Sequence, residues 1–116
     1  MNWNVITFET PRGEKPLDRF IKSQEPQARS KIIHNIRLLE EHGNMLGMPH
    51  AKILSKGLYE LRIRGKEELR ILYCFRKKSI YLLHAFKKQT RSTPVRELSL
   101  AIKRMKEADL IEVDKT

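Results

Sequence analysis

The sequence is poor in the features that mark several common functional classes. It has a single cysteine, Cys74, among 116 residues, which excludes an internal disulfide and suits a reducing compartment. No run of 18 or more apolar residues occurs, so no membrane-spanning helix is predicted. The first residues, starting Met1-Asn2-Trp3, lack the basic and apolar segments of a secretory signal. We therefore expect a cytoplasmic protein with one domain over residues 1–116.

Motifs for metal and cofactor chemistry are also missing. Neither HExxH nor CxxC occurs, and the histidines are not at the spacings typical of metal ligands. There is no Ser-His-Asp order, no glycine-rich phosphate loop and no paired-carboxylate motif. We therefore expect no metal site and no cofactor.

The positive charge is concentrated in one part of the chain. Lysines and arginines number 7 against 6 acidic residues in 1–51, 16 against 4 in 52–106, and 1 against 4 in 107–116. The local net charges are thus +1, +12 and −3 within a total of +10. A field of this kind favours a polyanion, because binding releases counterions. Nucleic acid is the favoured partner, and an acidic protein is the competing interpretation.

Hydrophobic periodicity predicts an α+β domain in the order β-α-α-β-β-β-α. The sheet is expected to be small and antiparallel with a mixed edge, and its helices to pack on one face, leaving the other open. Residues 43–57 are predicted to be a loop, and 107–116 a frayed acidic tail. The predicted elements are a strand at 3–8, helices from Pro16 and from near Pro26 to Gly43, strands at 58–64, 69–75 and 80–86, and a helix after Thr93-Pro94.

Strand parity places arginines together on the open face. Successive side chains in a strand point to opposite faces, so Arg62 and Arg64 lie opposite the apolar set of their strand, and Arg70 does so in the next. Guanidinium groups bind phosphate oxygens bidentately and stay charged. An ordinary solvated strand face would fit the same pattern. Further basic residues flank this sheet in sequence: Lys52, Lys56, Lys87, Lys88 and Arg91.

Linked segments of the chain resemble phage-derived HigB-like toxins of the RelE/ParE superfamily. They are Gly57–Arg62, Glu68–Tyr73, Leu82–Lys88 and the pair Thr93-Pro94 before a helix. The helical hairpin that precedes them also fits, so the likeness covers nearly the whole chain. It implies a RelE-like fold.

The resemblance implies the toxin of a type II toxin-antitoxin system. Its activity would be that of a metal-independent, ribosome-dependent mRNA endoribonuclease (an mRNA interferase) that inhibits translation. Its partners would be mRNA, the ribosome and a helix-turn-helix, HigA-like antitoxin, in a heterotetramer built on an antitoxin dimer. Toxin and antitoxin would together repress their own operon.

The resemblance also suggests roles for individual residues. Arg62 and Arg70 match the basic positions over the scissile phosphate, and Lys87 and Lys88 match lysines after the last strand. For RNA cleavage our own hypothesis is that Lys87 or His84 acts as acid or base, although a histidine in an apolar strand is more often a packing residue. RelE has a basic residue where this chain has Glu60, and its late tyrosine has no counterpart here. The RNA-binding set would be Lys52, Lys56, Arg64, Lys88 and Arg91.

Two other functions fit the same residues. One is a ParE-like toxin that inhibits DNA gyrase without nuclease activity. The other is a non-catalytic nucleic-acid-binding module, whose affinity would fall steeply with salt and leave no cleavage product.

Overall fold

The computed structural model describes residues 2–55 and 57–114, with side chains as far as Asp109. No helix in these ranges is both long enough and apolar enough to cross a bilayer. The described residues form strands β1 (Asn4–Thr7), β2 (Ala51–Ser55), β3 (Leu58–Ile63), β4 (Leu69–Arg76) and β5 (Ser79–Lys87), helices α1 (Pro16–Lys22), α2 (Pro26–His42) and α3 (Val95–Asp114), and a 3₁₀ turn at Gly43–Met45.

The strands form one mixed sheet in the order β1-β5-β4-β3-β2. β1 runs parallel to β5, and the other neighbours are antiparallel. The predicted meander is β3-β4-β5, and Arg62 lies directly opposite Arg70 in its register. The α+β class and the mixed edge are therefore confirmed.

The predicted loop 43–57 contains an additional strand. β2 pairs with β3 at the edge of the sheet, and its pairing shifts between Ile53 and Ser55. Ala51 is buried while Ile53 is exposed, so the strand lacks clear apolar alternation. Surrounding glycines and Pro49 favour a loop in the sequence, which explains why β2 was not predicted.

Helices α1 and α2 cover one face of the sheet. Leu17 of α1 and Ile32 and Leu39 of α2 belong to the same buried cluster as Leu61 and Ile71 of the sheet. Both helices begin with a proline, where the missing N–H costs no hydrogen bond. α2 ends at His42 with Gly43 as its C-cap, close to the predicted end.

Helix α3 packs on the opposite face, so the prediction that all helices share one face is wrong. Ala101 and Ala108 of α3 are buried with Leu72, Cys74 and Leu83 of the sheet. β4 is apolar on both faces, and each face therefore needs a cover. α3 contacts mainly β5 and β4. On the β3 side of this face Leu58 and Glu60 are also buried, and Arg62 is half-buried. The helix includes residues 107–114 of the predicted acidic tail.

Candidate nucleic-acid interface

Arg62 and Arg70 meet across strands β3 and β4. The N–H of Arg62 donates to the carbonyl of His50, on the β2 side, over 2.8 Å. Its pairing with Arg70 is thus of the non-hydrogen-bonded type, in which side chains lie closest. Like charges directly opposite each other are unfavourable unless other groups compensate them. The two arginines differ in that compensation.

Arg70 is buried and neutralised by two carboxylates. Its residue is 3% exposed, and its Nη1 donates to Oε2 of Glu68 over 2.9 Å. Its Nε lies 3.4 Å from Oε1 of Glu60, which is itself buried and accepts a hydrogen bond from Thr93 Oγ1 over 3.0 Å. The hydrogen bond from Arg70 lowers the pKa of Glu68. Arg70 thus connects β3, the β3–β4 hairpin and the segment that leads into α3.

Arg62 is half-buried, and its charge is not compensated in the same way. Its Nη1 approaches the sulfur of Met48 at 3.7 Å, and its buried Nε, like that of Arg70, has no hydrogen-bond partner. No described carboxylate oxygen lies within 4 Å of it. Its backbone is held by His50 and by Asn35, whose Nδ2 donates to the Arg62 carbonyl over 2.8 Å. A fixed backbone and an uncompensated guanidinium suit the binding of an external anion.

Other uncompensated cations continue from Arg62 around the β3–β4 hairpin. Arg64 and Lys66 are exposed in the connection. Lys31 of α2 reaches the same turn: its Nζ lies 2.7 Å from the point where a Cβ on Gly65 would be. No described carboxylate oxygen lies within 4 Å of any of them. We call Arg62, Arg64, Lys66 and Lys31 the hairpin cations.

The predicted lysines at the end of β5 lie beside the base of the β3–β4 hairpin, where they share a pocket with Lys66 and Glu68. Lys87 lines a cavity on the α1/α2 side of the sheet, and its Nζ is 2.8 Å from Oε2 of Glu67. Lys88 is half-buried, and its backbone N–H donates to the carbonyl of Glu68 over 2.8 Å. Lys87 is therefore on the face opposite Arg70, already in an ion pair.

The remaining predicted RNA-binding residues lie on other elements of the structure. Lys52 is exposed on β2, opposite Glu60 in the register, which puts it beside the arginine pair. Arg91 is exposed in the connection between β5 and α3. Lys56 lies outside the described residues.

His84 contacts α3 rather than the arginine pair. Its Nε2 lies 3.1 Å from Oε1 of Glu97, and its Nδ1 lies 3.5 Å from Nη1 of Arg104. Its ring stacks on Phe86, with centroids 5.6 Å apart. Both ring nitrogens are engaged, so in this arrangement His84 joins α3 to β5. The structure brings Arg62, Arg64 and Arg70 together. Lys87 lies on the other face, whereas His84 shares the face of Arg70 and is engaged there by α3.

Several residues of this region were not singled out by the sequence. Glu68 precedes Arg70 by two residues and so shares its face, a signal that parity contains. Lys31 and Thr93 reach the region from other elements, and nothing in their local sequence indicates it. In the part of the chain that is described, no three potential ligands are grouped around a metal position.

Comparison with known families places this geometry in context. The family model described as phage-derived protein Gp49-like (DUF891) matches residues 19–106. The chain belongs to this Gp49-like family. The match covers Arg70 and all four hairpin cations, and the family is of the RelE/ParE-like toxin type. No protein of curated function matches the chain at a significant level.

Proposed function

We propose that this Gp49-like protein is a HigB-like toxin that cleaves mRNA on the ribosome, with a helix-turn-helix antitoxin as its partner. The observation that supports it best is Arg62, a half-buried guanidinium beside Arg70 with no carboxylate of the described residues within 4 Å. The toxin-type family and the charge of residues 52–106 support the same function.

The proposed reaction is attack by an mRNA 2′-hydroxyl on the adjacent phosphate. A bond forms between O2′ and phosphorus, and the bond from phosphorus to O5′ breaks. The 2′-hydroxyl loses a proton, and the leaving O5′ gains one. The products are a 2′,3′-cyclic phosphate and a free 5′-hydroxyl. Arg62 would stabilise the charge that develops on the phosphate oxygens, and Arg64 would bind a neighbouring phosphate.

In this proposal Arg70 acts as a positioning residue. Its guanidinium is engaged by Glu60 and Glu68, and through Glu60 it fixes the segment at Thr93. His84 and Lys87 are engaged by other side chains. The ribosome would supply the in-line geometry and complete the groups for proton transfer. Substitution of His84 or Lys87 should therefore reduce cleavage less than loss of Arg62.

Primer extension on a translated mRNA after induction tests the proposal. We expect codon-positioned cuts with the wild-type chain, and their loss with Arg62→Ala. Arg37→Ala is the matched control, because Arg37 is an exposed arginine on α2. It should leave the cuts intact. Circular dichroism of each variant checks that the fold is unchanged.

Each contrary result indicates a different function. Absence of cuts in the wild type removes the nuclease proposal. Growth arrest that persists in Arg62→Ala while gyrase supercoiling fails in extracts would indicate a ParE-like inhibitor. Binding to RNA without growth arrest or cleavage would indicate a non-catalytic module.

A further inference from the structure

A cavity of about 260 Å³ lies behind the β3–β4 hairpin, on the α1/α2 side of the sheet. It is bounded by the α1–α2 connection, the first turns of α2, the hairpin and the end of β5. Part of its lining is apolar, from Ala28 and the buried Ile63 and Leu69. Gln24 and Gln27 also line it, and the Nε2 of Gln24 already donates to the Phe20 carbonyl and to Ser23 Oγ. The cavity thus combines an apolar surface with hydrogen-bonding groups, as small-molecule sites do.

Two of the hairpin cations open onto this cavity. Lys31 and Lys66 both line it, and the amine of Lys31 extends across to Gly65. A third lysine in the lining, Lys87, is engaged by Glu67. Lys31 and Lys66, in contrast, have no described carboxylate oxygen within 4 Å. The free ammonium groups therefore favour an anionic ligand in spite of the second lining carboxylate, Glu25.

We propose that this cavity binds one nucleoside monophosphate unit, with its base on the apolar lining and its phosphate between Lys31 and Lys66. Purine and pyrimidine faces are apolar, and their edges can hydrogen-bond to the amide of Gln27 and to the amide oxygen of Gln24. The volume lies just below the roughly 300 Å³ at which small-ligand sites usually begin, and so suits one nucleotide rather than several.

The nucleotide could be free or part of an RNA strand, since both present the same chemistry. The strand source rests on the proposed function. Arg62 lies on the face opposite the cavity, Arg64 and Lys66 follow in the connection, and Lys31 lies on the cavity side. An RNA strand bound by Arg62 would therefore continue around the hairpin and place a neighbouring nucleotide in the cavity.

Binding measurements on the full chain test the site. The probes are AMP by calorimetry, a labelled RNA trinucleotide by fluorescence anisotropy, and inorganic phosphate as a charge-only competitor. Ala28→Leu fills the cavity without changing charge, and Lys31→Met removes the ammonium group but keeps its stem. Each should weaken binding by about tenfold, the effect of losing one charge-assisted or well-packed contact. Lys103→Ala, at an exposed lysine on α3, should change nothing.

The outcomes separate the two sources and the two proposals. Binding of AMP and the trinucleotide with the same variant dependence shows that a free nucleotide suffices; binding of the trinucleotide alone shows that the strand is required. The proposed site is refuted if neither AMP nor the trinucleotide binds. It is also refuted if Ala28→Leu binds with full affinity. Should Ala28→Leu fail to fold, full affinity in Lys31→Met refutes it instead. Competition by phosphate as strong as that by AMP would show that the base is not recognised, which also overturns it. If Arg62→Ala abolishes the mRNA cuts while Ala28→Leu binds nucleotide normally, only the cavity proposal is refuted. If nucleotide binding depends on the variants but no mRNA cuts occur, only the nuclease proposal is refuted.

Discussion

Arg62 and Arg70 are the same residue type in neighbouring positions, yet their surroundings give them different tasks. Removal of Arg70 leaves Glu60 buried at 2% exposure without its cationic partner. Breaking a buried ion pair in this way costs about 3–5 kcal/mol. We expect Arg70→Ala to lower the free energy of unfolding in urea by that amount.

Arg62→Ala is the control for this measurement. Arg62 is half-buried and has no described carboxylate within 4 Å, so its loss should cost about 1 kcal/mol or less. Equal losses in the two variants would show that Glu60 does not depend on Arg70, and would also weaken the positioning role.

The same network predicts how stability changes with pH. Chiefly because Arg70 donates a hydrogen bond to it, Glu68 has a folded pKa below its ordinary value of 4.5. A depressed pKa stabilises the fold above the unfolded value, and this contribution is lost as the pH falls through the folded pKa. We expect Glu68→Gln to lower the free energy of unfolding at pH 7, with the difference from wild type vanishing in acid.

Urea unfolding at pH 7, 4.5 and 3 measures this difference. Glu25→Gln, at an exposed carboxylate outside the arginine network, is the comparison. A Glu68→Gln deficit that persists unchanged at pH 3 would show that the charge of Glu68 is not its source.

At the scale of elements, α3 covers the sheet face that carries Leu72 and Cys74. Ala101 is fully buried against the sheet, whereas Ser99, two residues earlier on the same helix, is exposed. Ala101→Asp buries a charge without a partner and should unfold the chain or cost more than about 4 kcal/mol. Ser99→Asp should change stability by roughly 0.5 kcal/mol or less. Thermal denaturation of the pair tests the packing, and similar melting temperatures would contradict a buried α3 face.

The sequence predicts correctly which strand side chains share a face of the sheet. It does not predict which face each helix covers. Alternation in β3 and β4 was enough to predict that Arg62 and Arg70 would share a face. The face that α3 covers was not predicted, because the apolar stripe of a helix does not say which surface it meets. Leu72 and Cys74 contained the missing signal, since a strand that is apolar on both sides needs two covers.

Some residues of the site come from distant parts of the chain, and the sequence does not show that they approach it. Lys31 arrives from a helix far along the chain, and Thr93 from the segment before α3. The neutralisation of Arg70 depends on where Glu60 and Glu68 end in space. The sequence shows that these residues are charged, but only the packed structure shows which charges form ion pairs with each other.

At the scale of the whole molecule, affinity for RNA should follow the uncompensated charges rather than the total. A cation that contacts phosphate contributes about one unit to the slope of log affinity against log salt. Alanine at Arg62 or Arg64 should lower the slope by roughly that amount. Lys87→Ala should have less effect, because Lys87 is already in an ion pair with Glu67. Titrations of single-stranded RNA between about 50 and 200 mM salt test this, and equal slope changes at all three positions would contradict it.

The position of Trp3 has a practical consequence for all of these experiments. It is the single tryptophan of the chain, packed edge-on to Phe75 and occupying the space above Gly43 at the end of α2. β4 runs from the hairpin at Leu69 to Phe75 near its other end, so the indole sits far from the hairpin cations. Its emission should therefore report unfolding without responding directly to bound RNA. The chain carries its own optical probe, by which folding can be followed while the nucleic acid is present.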